Sequence, residues 1–257
     1  MKPADLRPDP ARSILLLHGL GVYGESWGYQ VQALAQAGFN PIAPDLPGFG
    51  NSPSPGRFWS VRSAAEAMVK LLDSKGINRT VVCGLSMGGT VALQMALDYP
   101  GRIAGLILIN TFATLRPASV SEVVYFIRRG LRAYISNPGS QADLVAQRIF
   151  PYPEQAEWRV RLIQSIKASN PKIYRQAMLS LARFDVSRKL TRINTPVMVI
   201  TGTKDTTILP RVQQLMAERI PGAERHLIDG AGHGVIVDHF AEVNRLLLEF
   251  MTRVYSN

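Results

Sequence analysis

Thr80-Val81-Val82-Cys83-Gly84-Leu85-Ser86-Met87-Gly88-Gly89-Thr90 decides how this chain is read. An apolar run of strand-forming residues ends at one serine set between glycines, and a helical pattern follows at once. Such a sharp strand-to-helix turn holds its tip residue in a strained, often positive-φ conformation, and flanking glycines let neighbouring backbone approach without a Cβ clash. The turn pushes the Ser86 hydroxyl out of the fold. It also leaves the N–H of Met87 as an unused donor at the positive end of a helix dipole, suited to a developing oxyanion.

Outward from this stretch, apolar runs alternate with helical periodicity. Ser13 to Leu17 precedes Gly24 to Ala37, Asn40 to Asp45 precedes Ser60 to Lys75, and Thr80 to Leu85 precedes Met87 to Tyr99. Strands are also expected over Ile103 to Ile109, Pro196 to Thr201 and Arg225 to Ile228, with helices over Pro210 to Ile220 and Asp238 to Met251. This order predicts an α/β fold whose sheet is mostly parallel and covered on both faces. More than eighty residues separate the strand ending at Asn110 from the one beginning at Pro196, far beyond an ordinary crossover. They carry helical periodicity at Val120 to Tyr134 and Ala142 to Ile149, broken at Phe150-Pro-Tyr-Pro. The expected organisation is a core of residues 1–111 and 191–257 with an inserted helical cap, or lid, over 112–190.

The chain has 257 residues, a net charge of +10 and a single cysteine, Cys83. That length suits one large domain. One cysteine forms no intrachain disulfide, and its place in an apolar run reads as core. With no apolar leader and no bilayer-length run, a cytoplasmic location and no membrane partner are expected. The four histidines are scattered, so no metal site is expected. Ala113 to Arg192 holds fourteen Lys or Arg against five acids, nearly the whole basic excess. The plain reading is a solvated basic face. The other is an anionic or carrier-linked substrate met by Arg128, Arg129 and Arg132. Nucleic acid is not expected as a partner, because no recognition motif accompanies the charge.

Three further motifs carry chemistry. His18-Gly19-Leu20-Gly21 leaves the first strand, where its backbone supplies a second oxyanion donor at Leu20 and His18 braces the loop. Gly202-Thr203-Lys204-Asp205 leaves a later strand; alone, Asp205 reads first as a turn or capping residue. Gly230-Ala231-Gly232-His233-Gly234 gives His233 a mount at the sheet edge expected for Ser86, suited to a proton shuttle. The order Ser86, Asp205, His233 is one known permutation of nucleophile, acid and base.

With Asp45-Leu-Pro-Gly-Phe-Gly-Asn-Ser52 added to these motifs, the chain resembles the α/β-hydrolase superfamily over essentially its whole length. It looks most like the small capped serine esterases, lactonases and carbon–carbon hydrolases. The resemblance implies a carboxylesterase-type serine hydrolase with Ser86, Asp205 and His233 as catalytic triad. It also implies an oxyanion hole from the N–H groups of Leu20 and Met87, a small-molecule ester as substrate, and no cofactor. A lactonase or carbon–carbon hydrolase with the same triad is the alternative. A carrier-protein-linked methyl ester esterase and a non-catalytic ligand receptor stand behind these. Serine at 86 disfavours the related dehalogenases and epoxide hydrolases, which use aspartate. Relatives usually begin with two antiparallel edge strands, whereas Pro3, Pro8 and Pro10 argue against a hairpin here. A sheet of about six strands is therefore expected. Trp27, Phe49, Phe126 and Trp158 are the aromatic residues assigned to a substrate pocket.

Overall fold

Strand runs without polar alternation need cover on both faces, and this governs the layers of the molecule. The protein is described by a computed structural model, which covers residues 12–56, 58–115, 124 and 138–256. Six strands form one sheet: β1 (Ser13–Leu17), β2 (Asn40–Ile42), β3 (Thr80–Leu85), β4 (Ile103–Ile109), β5 (Val197–Gly202) and β6 (Glu224–Ile228). Their order is β2-β1-β3-β4-β5-β6, and every pair is parallel. Every residue of β1, β3, β4 and β5 is buried, while β6, at the edge, is largely exposed.

Side chains alternate between two cores, as the pleat requires. Leu15, Leu17, Val82, Leu106 and Leu108 face a core shared with α2 (Val61–Ser74) and α3 (Met87–Asp98). Ile14, Leu16, Val81, Cys83 and Ile107 face the other, shared with α1 (Gly28–Gln36) and the final helix. Close packing of α3 on the sheet depends on two glycines. A Cβ on Gly84 would lie 2.3 Å from the Gly88 carbonyl, and one on Gly88 would lie 2.0 Å from the Leu17 oxygen.

Between β4 and β5 the described chain forms α4 (Ala142–Ile149), α5 (Ala156–Ala168) and α6 (Pro171–Arg183). Asn170 caps α6 through Oδ1, which accepts from Lys172 N and Ile173 N, and Pro171 occupies the first turn. After β5 come α7 (Pro210–Ala217), β6, a single turn α8 (Val235–Asp238) and α9 (Phe240–Ser256).

Some boundaries differ from the sequence reading. β2 stops at Ile42 rather than Asp45, because the following chain leaves the sheet to let the Asp45 carboxylate accept from Gly24 N and Asn51 N, both at 2.8 Å. The last helix starts at Phe240 and runs to Ser256, since His239, with φ −123° and ψ 34°, leaves the helical conformation and separates it from α8. The helix read over Val120 to Tyr134, apart from the helical Val124, and the N-terminal segment through Ala11 lie outside the described residues. No described helix is long and apolar enough to cross a membrane.

Candidate active site

In this strand order the chain moves one way from β1 to β2 and the other way from β1 to β3 and onward. The loops leaving β1 and β3 therefore diverge, and a crevice opens at their carboxyl ends. The loop of Gly19 and Leu20 and the turn at Ser86 both lie there. A Cβ built on Gly19 would sit 3.7 Å from the Ser86 Cβ.

Ser86 has φ 52° and ψ −115°, a conformation costly for a residue with a side chain. The surrounding structure pins it. Ser86 N donates to the Ile109 carbonyl at 3.0 Å, and Thr111 Oγ1 donates to the Ser86 carbonyl at 2.7 Å. Helix α3 begins at Met87, so that N–H has no carbonyl one turn back within the helix.

Asp205 and His233 meet on the adjoining loops. His233 Nδ1 donates to Asp205 Oδ2 at 2.9 Å, and both residues are buried. The other carboxylate oxygen, Oδ1, accepts from Thr207 N at 2.8 Å and Ile208 N at 3.0 Å, which keeps a buried charge hydrogen-bonded. With Nδ1 committed to Asp205, Nε2 is the ring atom left for proton transfer. Ser86, His233 and Leu20 line one cavity of about 110 Å³. The sequence-predicted triad and Leu20 are thus brought to one place.

Two buried amides stand behind this pair, and sequence reasoning missed both. Asn110, at the end of β4 with φ 44°, donates through Nδ2 to the carbonyls of Gly232 (2.9 Å) and His233 (3.2 Å) and accepts from Gly202 N at 2.9 Å. It therefore ties the Asp205 strand to the His233 loop. Gln213 in α7 accepts from Thr201 Oγ1 at 2.9 Å and donates through Nε2 to the Ile208 carbonyl at 2.9 Å and to Asp205 Oδ2 at 3.3 Å. A polar residue ending an apolar strand was the only sequence signal for Asn110. Gln213 left none.

His18 acts as a brace. Leu46 N donates to its Nε2 at 2.9 Å, so the ring proton sits on Nδ1, which donates to the Gly19 carbonyl at 2.8 Å. Complete burial drives its pKa down to about 4, only partly offset by the Gly19 carbonyl and the Asp45 charge.

The aromatic residues assigned to a pocket are dispersed. Trp27 is fully buried in the core of Ile14 and Leu16 and does not line the cavity. Phe49 packs edge-on against His18 and Trp59 and is likewise away from it. Trp158 lines a neighbouring pocket, and Phe126 lies outside the described residues. The cavity wall instead uses Val145, Ile149, Phe150 and Leu162 from the helices between β4 and β5. These helices are fastened to the site loops. Ser165 Oγ donates to the Gly21 carbonyl at 2.7 Å, Tyr23 Oη to the Ser165 carbonyl at 2.8 Å, and Arg148 to the Thr206 carbonyl.

The sequence pattern of the alpha/beta hydrolase fold matches residues 12–240. A curated relative named "Putative carbamate hydrolase RutD", from Variovorax paradoxus strain S110, is 30% identical over 255 residues, spanning 96% of this chain and 94% of the relative. A solved thermophilic esterase from Thermogutta terrifontis, with malate bound, is 29% identical with a TM-score of 0.82, covering 94% of this chain and 90% of that one. The enol-lactonase from Burkholderia xenovorans LB400 shares the fold at a TM-score of 0.87 and 24% identity, over 96% and 93% of the two chains.

Proposed function

The chain belongs to the α/β-hydrolase family, and from that premise we propose that it is a serine hydrolase cleaving carboxylic esters through an acyl-enzyme on Ser86. The observation that carries this reading is the 2.9 Å pairing of His233 Nδ1 with Asp205 Oδ2, with His233 and Ser86 lining the same cavity.

In this mechanism His233 Nε2 takes the Ser86 proton as Oγ attacks the ester carbonyl. Asp205 holds the ring in that tautomer and stabilises the imidazolium. The N–H groups of Leu20 and Met87 hold the oxyanion, each donor contributing about 3 kcal/mol. The protonated ring then gives its proton to the departing alcohol. In the second half His233 removes a proton from water, which attacks the acyl-enzyme, and the ring then gives that proton to Ser86 Oγ as the acid departs. The helices within residues 112–190 serve as a cap that excludes bulk water and shapes the acyl site. Support for this role comes from the four cap residues in the cavity wall.

Cleavage of a carbamate is the second reading, favoured by the name of the 30% identical relative. A carbamate carbonyl uses the same nucleophile, base and donors. A lactone would use them too. Turnover of p-nitrophenyl acetate, p-nitrophenyl N-methylcarbamate and γ-butyrolactone separates these readings. The ester is expected to have the highest kcat/KM, and all turnover should vanish in Ser86→Ala. A carbamate preference exceeding tenfold replaces the ester reading; turnover that survives Ser86→Ala removes the serine mechanism.

A further inference from the structure

The cavity at Ser86, about 110 Å³, is smaller than the roughly 300–1,000 Å³ usual for ligand pockets. It holds a reacting group and little else. Beside it lies a second pocket of about 530 Å³, within that usual range. Val22, Ser26, Phe150, Leu162 and Val237 line both, so the two spaces share a wall. Ser26 is the one polar residue among those five. Its Oγ is buried and has no hydrogen-bond partner among the described residues, and the same is true of Thr207 Oγ1 in the lining of the inner cavity.

A buried hydroxyl without a partner is disfavoured, and a ligand heteroatom relieves it once the side chain turns from its packed position toward the pockets. Among the described residues the inner lining contains no Asp, Glu, Lys or Arg, so a charged group there would meet no counter-ion from them. The heteroatom that fits is therefore neutral. The outer pocket is walled by Tyr29 and Trp158, whose rings meet edge-on at 6.0 Å, with the Arg161 guanidinium 5.2 Å over the Trp158 ring. Arg161 is itself paired with Glu157 at 2.6 Å, and Glu25 also lines this pocket, so the described residues of the wall offer aromatic surface without a free cation.

Resting on the ester reading above, we infer that the substrate is two-part. Its carbonyl lies at Ser86, a neutral hydrogen-bonding group such as an amide two or three atoms away meets Ser26, and an apolar or aromatic end rests on Tyr29 and Trp158. Ser26 is then a specificity-determining residue.

Matched esters test this. The amide probes are 2-benzamidoethyl acetate and methyl 3-benzamidopropanoate, which carry the amide on the alcohol and acyl sides. Their hydrocarbon counterparts are 4-phenylbutyl acetate and methyl 5-phenylpentanoate, and ethyl acetate is the short reference. In one of the two orientations the wild-type protein should favour the amide ester in kcat/KM, and Ser26→Ala should reduce that ratio by about 3- to 10-fold. Trp158→Ala should lower the ratio of either phenyl-bearing ester to ethyl acetate. Should Ser26→Ala leave both amide-to-hydrocarbon ratios where they were, the inference is wrong while the ester reading survives through ethyl acetate. If Trp158→Ala leaves the phenyl-to-ethyl ratios unmoved, the outer pocket is not used and the inference is again overturned. Absence of Ser86-dependent turnover on all five esters removes the ester reading and this inference together.

Discussion

Gln213 Nε2 lies 3.3 Å from Asp205 Oδ2, the same carboxylate oxygen that accepts from His233. The amide thus helps to orient the acid together with the histidine, while its own oxygen is held by Thr201. Replacing Gln213 by Leu removes this donor and leaves the Thr201 hydroxyl unpaired. We expect kcat to fall about tenfold with little change in KM, the cost of roughly one buried hydrogen bond. Steady-state kinetics on a short ester check this; an unaltered kcat in folded protein would show that Asp205 is oriented without Gln213.

Ser165 joins α5 to the loop that carries the Leu20 N–H, through its bond to the Gly21 carbonyl. Gly21 itself has φ +79° and sits against Ile166 and Tyr174, so its position is set by the helices above it. Ser165→Ala should lower kcat by about 3- to 10-fold, with a change in unfolding free energy of about 1 kcal/mol. Kinetics and denaturant titration on the same preparation separate the two effects.

His18 makes stability depend on pH with a definite sign. Burial lowers its pKa from 6.5 to about 4, so as pH falls the unfolded chain takes up the proton first. This contribution is whole above pH 6.5 and is lost as pH drops toward about 4, a loss of about 3 kcal/mol. Urea unfolding at pH 7, 6, 5 and 4 should therefore bring the wild-type protein progressively closer to a non-titrating His18→Asn variant. A constant gap between the two would contradict the neutral brace.

Cys83 is fully buried in β3, and burial raises its thiol pKa well above the ordinary range. It should remain unmodified by a thiol-reactive disulfide reagent in native protein and react once unfolded, with one equivalent released. Rapid native labelling would place it outside the core assigned to it.

The elements most legible in the sequence are those written by local backbone chemistry. Ser86 and His233 sit in glycine-rich turns and Asp205 follows a glycine at a strand end, and β1, β3, β4 and β5 are largely apolar runs bounded by turns. The neighbours that position them are legible only in three dimensions. Gln213 is one polar residue on an amphipathic helix, and nothing in its spacing tells a buried amide from an exposed one. Asn110 marks the end of an apolar strand whether its side chain faces solvent or bridges two loops. Aromatic residues are equally silent about direction. Trp27 follows a strand, as a pocket residue would, yet it turns to the sheet face of Ile14 and Leu16. Phe150, at a helix break, lines both pockets.

The proposed chemistry depends on Ser86 acting as a nucleophile activated by His233. Treatment of the native protein with a fluorophosphonate, followed by peptide mass mapping, tests it most directly. One adduct is expected, on the peptide containing Ser86, absent in Ser86→Ala and slowed at least a hundredfold in His233→Ala, in keeping with the usual contribution of a general base of about 10²–10⁴. An unlabelled Ser86 in folded protein, or labelling that His233→Ala leaves at the wild-type rate, would contradict it.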